Sequence, residues 1–119
     1  MNAIYQEEDE ERYEAVNVGL IVSVYDRDIE YKLENLITEV LRDDYGVIDP
    51  ASGEQASIPA GGLVIESEDE TWYYYSTEFE IFDRLGWRVL MAGRAAGKMI
   101  WLGDGNFEIE DITITLERE

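Results

Sequence analysis

The sequence predicts an α+β fold: a two-layer sandwich with a mixed or antiparallel four-stranded sheet and two helices on one face, in the order β-α-β-β-α-β. Three observations carry this. Apolar and polar residues alternate from Val16 to Tyr25, apolar residues recur at helical spacing from Ile29 to Leu41, and two more alternating runs, Leu63 to Glu68 and Thr71 to Asp83, flank a turn.

The elements follow in order. Glu7, Glu8, Asp9, Glu10, Glu11 and Glu14 make residues 1–15 a block of like charge, read as an acidic N-terminal arm that repels itself as a packed element. Residues 16–119 then form a single domain, the commonest size for one core. In the first strand Val16, Val18, Leu20, Val22 and Val24 share the buried parity. The first helix, Asp28–Asp44, buries Leu33, Leu36, Ile37, Val40 and Leu41; Asp26 or Asp28 can cap its first turn, and Gly46 supplies its stop.

Residues 47–62 contain Pro50, Gly53, Pro59, Gly61 and Gly62 with little periodicity, and read as a long loop. The strands after it form a hairpin turning at Glu68-Asp69-Glu70, with Tyr73, Tyr75, Thr77, Phe79 and Ile81 on one side. Near the C-terminus, Phe107 and Ile109 are odd-numbered while Ile112, Ile114 and Leu116 are even-numbered. One parity must face the core, so an extra residue near Glu110-Asp111 is implied, most simply a β-bulge.

Residues 84–103 hold Arg84, Arg88, Arg94 and Lys98 and no acid, within a chain that has 28 acidic and 9 basic residues. As a helix, this segment puts Leu85, Val89, Ala92, Ala96, Met99 and Ile100 on one apolar arc. The four basic residues then cluster on a second arc beside Trp87, Leu90, Met91 and Trp101, a composition typical of protein interfaces. A hairpin around Gly93–Gly97 is the alternative conformation, since each glycine costs about 1 kcal/mol inside a helix. The competing explanation of the surface is that both Trp are core residues and the basic groups balance neighbouring carboxylates.

A net charge of −19 repels phosphate backbones and anionic membranes, so direct nucleic-acid or membrane binding is not expected and protein partners are. Lys occurs only at Lys32 and Lys98, and scarce Lys with abundant carboxylate suits life in concentrated salt, where screening is short-ranged. The chain has no His and no Cys, which removes imidazole bases, thiolate nucleophiles and disulfides. No metal site, cofactor site or catalytic group is expected. Asp26-Arg27-Asp28 and Asp104-Gly105-Asn106 lack the spacing of a calcium loop.

From the first helix onward the element order resembles that of the tail-terminator and tail-completion proteins of tailed viruses: an early helix, a long loop, a hairpin of long strands, a second helix and a closing strand. The likeness covers residues 28–119 and rests on no motif, so it carries over no functional residue. It implies a homo-oligomeric ring that caps the tail tube and joins it to the head, in a virion assembled in host cytoplasm. An alternative is a cytoplasmic DNA-mimic inhibitor of a restriction, CRISPR or other DNA-binding protein, presenting Glu66, Glu68, Glu78 and Glu80 as an acidic surface. A third is a halophile cytoplasmic domain.

Overall fold

The computed structural model describes residues 10–117, with side chains from Arg12 onward. Six antiparallel strands form one sheet with a single helix on one face, which corrects the expected four strands and two helices. The strands are β1 (Glu10–Ser23), β2 (Gln55–Ser57), β3 (Leu63–Ser67), β4 (Trp72–Phe82), β5 (Val89–Gly103) and β6 (Asn106–Glu117). Their spatial order is β1-β6-β5-β4, and β2 and β3 both pair with the free edge of β4.

Of the expected acidic arm, residues 1–9 lie outside the described residues. Residues 10–15 belong to β1, whose start pairs with the end of β6. Tyr13 packs on the Tyr45 ring at 4.6 Å, and the Tyr45 hydroxyl donates to the Glu14 carbonyl at 2.7 Å. These neutral contacts hold the strand in a stretch that charge alone would leave unpacked.

Helix α1 (Asp28–Glu39) continues as a wider π-type turn, Val40–Asp44, and Gly46 ends it at φ 64°. Neither Asp26 nor Asp28 caps it. The residue before the helix is Arg27, left-handed at φ 59°, while the Asp28 carboxylate accepts the Ser23 N–H at 2.8 Å and meets Lys32 at 3.2 Å. That backbone hydrogen bond, then Lys32, holds the Asp28 carboxyl below its usual range. Leu33, Ile37 and Leu41 are fully buried, whereas Leu36 is only partly so. The helix touches both β1 and β2, so it lies across the sheet.

The expected loop 47–62 is pinned to the core. Ile48, Ala56 and Ile58 are buried, the Thr38 hydroxyl accepts the Ala56 N–H at 3.0 Å, and the Glu34 carboxylate accepts the Ile58 N–H at 2.8 Å.

The second helix expected over 84–102 does not form, nor does the hairpin around Gly93–Gly97: β5 runs unbroken through all three small residues Gly93, Ala95 and Gly97. They lie on the core side opposite Phe79, Thr77 and Tyr75. A Cβ at Gly93 would meet the Phe79 ring and the Thr115 carbonyl, and one at Gly97 would meet the Tyr75 hydroxyl and the Asp111 carbonyl. Large residues on β4 fill the space that small residues on β5 vacate.

The parity slip in β6 is a bulge. Ala96 pairs with Thr113 and Met99 with Ile109, leaving one more residue between the partners on β6 than on β5. Phe107 and Ile109 on one side of it, and Ile112, Ile114 and Leu116 on the other, are all buried.

Candidate protein-contact site

Two features of the surface stand out, and they occupy different places. The first is the connection between β4 and β5. Asp83 begins it and organises it: its N–H donates to the Arg88 carbonyl at 3.0 Å, its carbonyl accepts the Gly86 N–H at 2.9 Å, and its carboxylate accepts the Trp87 N–H at 2.9 Å. Hydrogen bonding from the turn's backbone, the Trp87 N–H first, holds the Asp83 carboxyl below its usual range. Gly86 adopts φ 74°, which a glycine takes without strain.

The turn closes by its own hydrogen bonds while Leu85 and Trp87 point into solvent and the Arg84 stem lies against Gly53. Trp87 is 85% exposed and Leu85 69% exposed. Flanking them, Arg84 and Arg88 make no ion pair among the described residues. By contrast Arg27 just before α1, Lys32 on it and Arg42 in the π-type turn after it pair with Glu30, Asp28 and Asp43 within 3.2 Å. Local charge balance explains the helix cations and leaves Arg84 and Arg88 unexplained.

The second feature is the sheet face that α1 does not cover. Three adjacent rows of side chains cross it. Val64, Ser76, Ala96 and Thr113 stand opposite one another in the middle row. On one side of them runs Glu66, Tyr74 and Lys98; on the other, Glu78, Arg94, Thr115 and Arg12. Small side chains between two taller rows produce an open groove of about 920 Å³. At its end the Asp111 carboxylate accepts the Lys98 N–H at 2.9 Å.

The eight residues expected to form one contact surface therefore separate. Arg84, Trp87 and Arg88 lie on the turn, and Arg94 and Lys98 line the groove. Leu90 and Met91 are half-buried beside an irregularity where Ile81 pairs with Met91 and Phe82 with Val89. Trp101 lies at the far end of β5, packed edge-on against Phe107 at 5.1 Å and 6.4 Å from Tyr73. A 15-residue strand separates its ends by roughly 45 Å, so Trp87 and Trp101 cannot share a contact.

The acidic set separates as well. Glu66 and Glu78 flank the groove, Glu68 lies in the β3–β4 turn where it accepts the Tyr74 hydroxyl and raises that phenol, and Glu80 is half-buried. Among the described residues no group of three carboxylates is arranged to hold a metal ion, and no helix is long and apolar enough to cross a membrane.

Sequence reading missed the Asp83 hub and the groove floor. The hub has a recognisable signal, an Asp three residues before a Gly at the end of an alternating run. The floor has none, because Ser, Ala and Thr in a strand draw attention only once their taller neighbours are known. Comparison with known proteins finds no matching family model, no similar curated protein and no similar solved structure. What defines this chain is its own arrangement: an antiparallel sheet backed by one helix, with a cationic aromatic turn at one end and a groove on the open face.

Proposed function

We propose that this protein is a non-enzymatic structural protein that assembles with copies of itself into a ring, of the kind that terminates the tail or joins head to tail in a virus particle. The observation that carries self-assembly is the Asp83-organised turn. Folding does not require Trp87 and Leu85 to be exposed, and a turn held by its own hydrogen bonds loses little freedom on docking. Two unpaired arginines beside them suit the acidic surface that another copy of a −19 chain presents. The virion setting rests on the element-order resemblance of residues 28–119 to tail-terminator proteins, less the second helix, whose place β5 takes.

The test is the native mass at about 0.1 M and 2 M salt, by light scattering and electron microscopy. An oligomer that Trp87→Ala with Arg88→Glu dissociates, at unchanged melting temperature, supports the reading. A wild-type monomer at both salts overturns it. The DNA-mimic reading has less support, because Arg12, Arg94 and Lys98 interrupt the row of negative charge that Glu66 and Glu78 would need to imitate a phosphate backbone.

A further inference from the structure

We infer that the turn of one copy docks in the sheet-face groove of the next, a head-to-tail contact; this rests on the self-assembly reading above. The two features are complementary in shape. The turn projects an indole and an isobutyl group on a rigid base, and the groove has a floor of Val64, Ser76, Ala96 and Thr113, where no side chain is larger than valine. Aromatic groups seated on such a floor bury most of their surface, which is where interface energy concentrates.

Charge fixes the orientation. Over β3 and β4 the groove carries Glu66 on one wall and Glu78 on the other, placed to receive Arg88, and over β5 it carries Lys98 and Arg94, one on each wall, placed beside the face of a seated Trp87 ring. Asp111 closes the end of the groove next to Lys98.

The turn and the groove are separate patches on one chain, so a one-way contact leaves a free turn on one copy and a free groove on the other. A contact of this kind repeats by rotation and closes into a ring when the rotation permits. An isologous dimer, Trp87 against Trp87, would leave the groove empty.

The natural sequence contains no cysteine, which makes cross-linking decisive. One chain carries Leu85→Cys and a second carries Ser76→Cys, both at exposed positions, and the two are mixed and mildly oxidised. The expected result is a covalent two-chain product at least tenfold more abundant in the mixture than in either chain alone. Adding Trp87→Ala to the first chain, or Ala96→Arg to the second, should abolish it while circular dichroism shows both folded. Should Ala96→Arg misfold, Thr113→Arg blocks the same floor. A dimer formed by Leu85→Cys alone, or no mixed product from a wild type that does assemble, overturns the head-to-tail contact and leaves self-assembly standing. A wild-type monomer overturns both.

Discussion

The Tyr75 hydroxyl donates a hydrogen bond to the Asp111 carbonyl at 2.8 Å, joining β4 to β6 over the top of Gly97 on the strand between them. That carbonyl lies within the β6 bulge, and the glycine leaves room for the phenol to reach it. Tyr75→Phe would leave a carbonyl without its partner in a part-buried place. We expect a loss of about 1–3 kcal/mol by urea denaturation.

The same phenol predicts an alkaline effect. Burial first, and the Asp111 charge second, raise its pKa well above the ordinary tyrosine value. A raised folded-state pKa favours the protonated form, so its contribution is complete below the unfolded value of about 10 and declines as pH rises beyond it. Stability measured from pH 8 to 11 should fall less steeply in Tyr75→Phe than in the wild type.

Gly97→Ala should be among the most damaging single-atom additions to this chain, because its Cβ would meet the backbone of Asp111 as well as the Tyr75 hydroxyl. Overpacking of this kind costs about 1–3 kcal/mol and more where backbone must move. Ala96→Gly, one residue earlier and on the open face, should cost about 1 kcal/mol or less. Thermal melts of the two variants give the comparison.

On the helix, Leu33→Ala should cost about 2–5 kcal/mol, since Leu33 is fully buried beneath α1. Leu36→Ala should cost markedly less because Leu36 is only partly buried. Equal losses in denaturation would show that the helix sits differently on the sheet.

Asp83→Ala should free the turn without unfolding the sheet, read as faster hydrogen exchange at the Trp87 amide. The Asp83 pKa is depressed, so the ordering it provides is complete above the unfolded carboxyl value of about 4 and is lost as pH falls through the lower folded value. Exchange at Trp87, corrected for intrinsic rates, should therefore be flat from pH 7 to 5 and rise only in stronger acid.

No duplex DNA binding is expected near physiological salt, because a −19 chain has few phosphate contacts with which to release counterions. A salt-sensitive mobility shift by the pure protein would contradict this.

Where alternation involved large side chains, the sequence was a good guide. The alternation of Tyr73 through Ile81 located β4, Leu63 onward located β3, and the parity slip located the β6 bulge. It misled where the alternation was carried by absence. The core-facing positions of β5 include Gly93, Ala95 and Gly97, which have no hydrophobic weight, while Leu85, Val89 and Ala92 mimic a helical stripe. The missing clue was pairwise: small residues two apart on one strand answer Tyr75 and Phe79 on its neighbour. Of the candidate site, the turn residues Arg84, Trp87 and Arg88 stood out in the sequence as part of an acid-free aromatic segment. Their separation from Arg94, Lys98 and Trp101 did not, because a strand spreads over its length what a helix gathers on one side.

The pairing of β1 with β6 also governs how the chain reaches its fold. β2 through β5 meet near neighbours in sequence, but β1 must wait for β6, a partner from the opposite end of the described chain, and that search is slow because the intervening loop must be closed first. On a ribosome the helix and the β3–β4–β5 meander can be complete while β1, with its run of valines, is still unpaired. The acidic residues threaded through and before that strand give the waiting segment a strong mutual repulsion between chains. In this light the same charges that make the finished surface so anionic also guard the protein during the interval when its first strand has nothing to pair with.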